Sequence, residues 1–65
     1  MPDIRLNGKA RAVAAPTIDA LLRELDLDAR WVVAELNGEP LPRERFGAAL
    51  ADGDRLELVR AVAGG

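Results

Sequence analysis

What most constrains this chain is that only one stretch of it has the spacing of a helix. Ile18, Leu21, Leu22 and Leu25 stand at i, i+3, i+4 and i+7 and form a single apolar stripe. Thr17, just before the stripe, is a favourable N-cap, because its hydroxyl can accept an unpaired amide of the first turn. Asp19 lies near the positive end of the helix dipole and four residues before Arg23, a good order for an ion pair. One amphipathic helix cannot bury its stripe alone. It has to lie on one face of a sheet, so the rest of the chain must supply strands.

The strands are short but legible. Ile4-Arg5-Leu6 alternates apolar and charged like a half-buried strand. Asn7-Gly8 follows, a pair suited to a two-residue hairpin turn in which both residues need positive φ. The returning strand spans residues 9–13, and its weak strand formers Ala10 and Ala12 place it at or near an edge. After the helix, with Leu27 covering its exit, Trp31-Val32-Val33-Ala34-Glu35-Leu36 reads as a strand, closed by a second Asn-Gly at Asn37-Gly38. Residues 39–42 contain Pro40 and Pro42 and can return only as a short edge segment, since proline cannot donate to a sheet ladder. A single helical turn over residues 43–46, a return to the core at Leu50 and a tight turn at Asp52-Gly53-Asp54 precede the last strand, residues 55–59.

The expectation is an α+β fold: a mixed sheet of four to five strands with one main helix packed on one face. The inward set is Ile4, Leu6, Val13, Ile18, Leu21, Leu22, Leu25, Val32, Leu36, Leu41, Phe46, Leu50, Leu56 and Leu58. At 65 residues the chain makes one domain, with a core spanning residues 1–60 and a flexible tail over residues 61–65.

Composition removes most enzyme chemistry. There is no His, Cys, Ser or Tyr, hence no neutral-pH imidazole base, no thiolate or hydroxyl of the usual nucleophiles and no zinc ligand set. No metal site is expected. The paired aspartates Asp26/Asp28 and Asp52/Asp54 lack the further acidic positions of a calcium loop and read as turn chemistry. No glycine-rich phosphate loop occurs, so any ATP would be bound by a partner. With a net charge of −2 and two aromatic side chains, Trp31 and Phe46, nucleic acid is a poor fit. No apolar run approaches membrane-spanning length and no leader pattern precedes the first strand, so a cytoplasmic protein with no membrane partner is expected, monomeric when free.

Strand alternation sets Trp31 and Val33 on the face away from the helix, and Val59 is out of phase with Leu56 and Leu58. Exposed apolar groups on an open sheet face can mark a partner surface. The sharpest feature is the end, Ala61-Val62-Ala63-Gly64-Gly65. Glycine has no Cβ, so the last carboxylate is unhindered and the backbone can thread a narrow channel. Six extended residues reach about 20 Å, enough to enter another protein's active site. The α-carboxylate, with a pKa of about 3.5, is an ionised oxygen nucleophile at neutral pH.

The order strand–strand–helix–strand–strand with a protruding Gly-Gly end resembles the ubiquitin-like β-grasp pattern. Within it, the chain resembles the small sulfur carriers of thiamine (thiazole) biosynthesis. The residues that carry this are Ile4-Arg5-Leu6-Asn7-Gly8, Thr17-Ile18 with Leu21-Leu22 and Leu25, and Glu35-Leu36-Asn37-Gly38-Glu39. Leu41-Pro42-Arg43 with Phe46, Asp52-Gly53-Asp54 and Val62-Ala63-Gly64-Gly65 complete the set. The resemblance implies a co-substrate and not a catalyst. An E1-like adenylating enzyme would use ATP to adenylate the terminal carboxylate of Gly65, a sulfur-donor protein would convert it to a thiocarboxylate, and thiazole synthase would take the sulfur. Gly64, Ala63, Val62 and Ala61 would thread the partners' channels, and Val59, Arg60, Trp31 and Val33 would dock. Two departures stand out: Ala61 is smaller than the apolar residue the family pattern suggests, and Trp31 sits where no large aromatic is expected. Three other readings stay open at this point: a carrier for molybdopterin synthesis, a ubiquitin-like modifier, and a non-covalent interaction module.

Overall fold

The computed structural model describes residues 2–14 and 16–61. The two Asn-Gly pairs do what their chemistry predicts. Asn7 and Gly8 take φ of 51° and 83°, Asn37 and Gly38 take 54° and 85°, and each pair turns one strand back on its neighbour. The first hairpin joins β1 (Asp3–Leu6) to β2 (Lys9–Ala12), and the second joins β3 (Val32–Leu36) to β4 (Glu39–Leu41). The last strand, β5 (Arg55–Arg60), enters between the hairpins, giving a five-stranded sheet in the order β2-β1-β5-β3-β4. β5 runs parallel to β1 and antiparallel to β3, so the sheet is mixed.

The helix α1 (Ile18–Glu24) crosses one face of this sheet. Thr17 caps it as expected: its hydroxyl oxygen accepts the Ala20 N–H at 3.2 Å. The helix ends in a tight crossed pair of bonds, Leu27 N–H to the Leu22 carbonyl at 2.8 Å and Asp26 N–H to the Arg23 carbonyl at 3.1 Å. Asp26 takes φ of 59° to allow this, a conformation that Asp tolerates better than most residues. Replacing Thr17 with Ala removes the cap and is expected to cost about 1 kcal/mol of stability, read as a lower urea midpoint with an unchanged m-value.

The core lies between helix and sheet. Ile4, Val13, Ile18, Leu21, Leu22, Val32, Ala34, Phe46, Leu50 and Leu56 are buried, with Leu6, Leu25, Leu27, Leu36, Leu41 and Leu58 partly buried against them. Phe46 joins this core from the short turn after β4, and its carbonyl accepts the Asp19 N–H at 2.9 Å.

Three local expectations are corrected. Trp31 is not a strand residue: it ends a short 3₁₀ turn, Ala29–Trp31, and β3 begins at Val32. The last strand runs one residue further than its apolar pattern suggests, because Arg60 is paired opposite Val32. Asp19 and Arg23 form no ion pair; among the described residues the ion pairs are Arg11–Glu24 and Arg30–Asp28. Fixing two exposed side chains gains little in water, so helix spacing alone does not hold such a pair.

Candidate functional site

Strand pairing brings four of the docking residues expected from sequence to one end of the sheet. Val33 and Val59 lie directly opposite each other in the β3–β5 ladder, so both side chains project from the face away from the helix. They are 56% and 62% exposed, and Trp31 is 45% exposed, against a core that is almost fully buried. Large apolar groups left this open are stabilised only when something covers them. The next pair along the same face is Glu35 opposite Glu57. Like charges directly opposite are unfavourable, and neither carboxylate belongs to an ion pair among the described residues.

Arg60 and Ala61 form the root of the C-terminal segment. Ala61 is not loose: its N–H donates to the Trp31 carbonyl at 2.7 Å, extending the β3–β5 ladder past the last paired strand residue. Trp31 therefore holds the exit of β5 through its main chain while its indole stays half-exposed. A hollow of about 480 Å³ opens beside it, lined by Asp26, Asp28, Trp31, Arg60 and Ala61 among others. Val62, Ala63, Gly64 and Gly65, expected to thread partner channels, lie outside the described residues.

The turn that presents Trp31 is braced by an ionic clamp that sequence reasoning did not single out. Asp28 caps it, accepting the Arg30 N–H at 2.9 Å and the Arg30 guanidinium at 2.8 Å. Side-chain hydrogen bonding from Arg30, helped by its backbone N–H, holds the Asp28 carboxyl down from 3.8 to about 2. Because the folded value is the lower one, the clamp contributes fully above the ordinary carboxylate range and is lost as pH falls from about 4 towards 2. The expected result is an Asp28 carboxyl NMR midpoint near 2, with Trp31 fluorescence changing over the same range. A midpoint near 4 would mean that Arg30 does not engage Asp28.

Two further residues were read only as turn formers. The Asn7 carboxamide oxygen accepts the Leu58 N–H at 2.8 Å, and that of Asn37 accepts the Arg55 N–H at 2.8 Å. Both turns are thus stitched to β5, the strand that leads to the tail. Asp52 and Asp54 serve the loop before β5, accepting the N–H groups of Asp3 and Ala51. Among the described residues no group of three acidic, His or Cys side chains is arranged to hold a metal, and no helix is long and apolar enough to cross a membrane.

Comparison with known proteins agrees with this architecture. Residues 4–65 match the ThiS family. A crystal structure of the thiamine biosynthesis protein ThiS from Geobacter metallireducens superposes with a TM-score of 0.79 at 37% identity, covering 97% of this chain and 99% of that one. A solution NMR structure of a thiamine biosynthesis protein from Geobacter metallireducens gives 0.75 at 35% identity, covering 97% and 87%. A thiazole synthase of Paramagnetospirillum magneticum is 42% identical over 62 residues, but the match is 92% of this chain and 19% of that protein. This chain thus spans about a fifth of that relative's length. The family match and the superposition on ThiS structures across nearly the whole chain agree on one assignment: the chain belongs to the ThiS family, the small ubiquitin-like β-grasp sulfur carriers of thiamine biosynthesis.

Proposed function

We propose that this chain carries sulfur as a thiocarboxylate on Gly65 and acts as a co-substrate of partner enzymes, with no catalysis of its own. The Gly65 carboxylate attacks the α-phosphate of ATP in an adenylating partner, pyrophosphate leaves, and a sulfur donor then displaces AMP. Thiazole synthase is the proposed acceptor of the sulfur. The match to part of a protein called thiazole synthase supports that choice of acceptor. The single observation that carries the reading is the exit of β5: the sheet ladder runs to Ala61, and Gly64-Gly65 begins three residues later in the sequence. A rigid strand of this kind aims a short tail at a partner's reacting centre and lowers the entropy lost on docking.

The chain's own side chains support a carrier role in what they leave out. With no His, Cys or Ser, the groups that usually perform acid–base or nucleophilic chemistry are absent, and the reactive group is the main-chain carboxylate. Trp31, Val33, Val59 and Arg60 are the proposed docking residues, and the unpaired Glu35 and Glu57 favour a basic rim on the enzyme.

The test is intact-mass spectrometry after incubation with ATP, a thiamine-pathway adenylating enzyme and a sulfur donor. The expected result is a mass gain equal to exchange of one oxygen for sulfur, located on Gly65. No gain from a folded chain, with an enzyme active on another carrier, would overturn the reading. Val59→Ala and Trp31→Ala should each weaken enzyme binding about tenfold while shifting the thermal midpoint by only a few degrees. Unchanged binding in both would remove this face from the docking surface.

A further inference from the structure

β5 is unequally paired along its two edges. Its odd-numbered residues bond to β3: the Arg55 carbonyl accepts the Asn37 N–H and the Ala61 N–H donates to Trp31, both at 2.7 Å, with the Glu57–Glu35 and Val59–Val33 pairs between them. Its even-numbered residues therefore turn their main-chain groups to the other edge, towards β1. β1 covers only the beginning of that edge. The parallel register ends at Leu6 opposite Leu56, and the Asn7 N–H donates to the Leu56 carbonyl at 2.9 Å. There the positive φ of Asn7 takes the chain off the sheet. Its side chain reaches one step further and accepts the Leu58 N–H at 2.8 Å. Beyond that step, the Leu58 carbonyl and the Arg60 N–H point along an edge to which the strand order brings no other described strand. No described residue pairs with them.

A second feature lies beside this one. A hollow of about 170 Å³ opens on the helix side of the same edge, lined mainly by Leu6, Leu25, Leu27, Val32 and Leu58, with Asn7 and Arg60 also on its wall. The two fit a single kind of occupant. A carbonyl and an N–H two residues apart on one edge bond one residue of a strand running parallel, as β1 does. The side chain next to that residue then points to the inner face, where the apolar hollow is.

We infer that residues 58–60 are a docking edge for an extended segment of the adenylating partner, running parallel to β5 and seating one apolar side chain in the hollow. The inference rests on the carrier reading above, since the enzyme that takes the tail lies alongside this edge. Main-chain bonds supply affinity and the hollow supplies selectivity, the usual division in strand addition. A partner that covered this edge without bonding it would leave two main-chain groups unpaired and out of water.

The test combines amide exchange with two variants. Arg60→Pro removes the free N–H and leaves the odd-numbered β3 ladder intact, at a kind of edge position where proline is tolerated. Arg60→Ala keeps the N–H and controls for loss of the side chain. In wild-type chain the Arg60 amide is expected to exchange fast when free and about tenfold more slowly with a thiamine-pathway adenylating enzyme bound. Both variants lack the docking side chain, and Arg60→Pro is expected to bind that enzyme roughly tenfold more weakly than Arg60→Ala, the scale of one hydrogen bond; equal binding by the two variants overturns the edge. The wild-type exchange measurement decides the matter even if the proline variant folds poorly. An Arg60 amide that stays fast in a complex that adenylates Gly65 overturns the edge and leaves the carrier reading intact. Protection that rises with chain concentration alone makes a second copy the occupant and also overturns it. Neither binding nor adenylation of wild type overturns both.

Discussion

Deleting Gly65 is expected to abolish sulfur loading completely and to leave the fold unchanged. The proposal puts the reacting carboxylate on Gly65, and no side chain elsewhere can replace it: the chain has no Cys, His or Ser, and its acidic side chains lie on the folded domain. Shortening the tail by one residue withdraws the carboxylate by about 3.3–3.6 Å, more than a reacting pair tolerates. The core lies between Ile4 and Leu56, and among the described residues the last ladder bond is made by Ala61, so no described contact that holds the domain is touched. Intact mass should show no oxygen-for-sulfur exchange, while the thermal midpoint stays within about one degree. Loading of the shortened chain would refute the terminal-carboxylate chemistry, and a lost thermal transition would refute the separation of tail from fold.

Phe46→Ala is the substitution expected to do most damage to the domain itself. Phe46 is 1% exposed, is among the largest fully buried side chains and enters the core from the short turn that follows β4. Truncating a buried phenylalanine typically costs about 3–5 kcal/mol, from lost transfer energy and the cavity left behind. Small domains sit near the lower end of the usual 5–15 kcal/mol, so this one change removes most of the available stability. Partial unfolding at 25 °C is expected, with a strongly lowered urea midpoint. Val33→Ala, on the exposed face, should by contrast stay within about 1 kcal/mol. Equal effects from the two would mean that the assigned faces of the sheet are wrong.

Much of this architecture is readable before any coordinates. The helix, its Thr17 cap, both Asn-Gly hairpins and the proline-limited edge strand all follow from contacts within a few residues. The inward set follows from period-two and period-3.6 spacing, and of its fourteen positions all are buried or partly buried. Local signals were less reliable at element ends. The apolar run beginning at Trp31 reads as strand from its first residue, yet Asp28 and Arg30 close a turn that takes Trp31 out of it. The apolar pattern of the last strand stops at Val59, yet the opposite strand pairs with Arg60 as well.

The candidate site divides in the same way. The carboxylate-bearing end and the exposed Val33, Val59 and Trp31 can be named from composition and strand phase. The Asn7–Leu58 and Asn37–Arg55 bridges cannot, because their partners are 51 and 18 residues apart in the chain. The edge at residues 58–60, unpaired among the described residues, is equally invisible locally. Spacing along the chain sets which face of each element is apolar, since that depends on neighbours a few bonds away. Inserting β5 between two hairpins decides which main-chain groups are left over, because hydrogen-bond partners across a sheet are assigned by register and not by sequence distance.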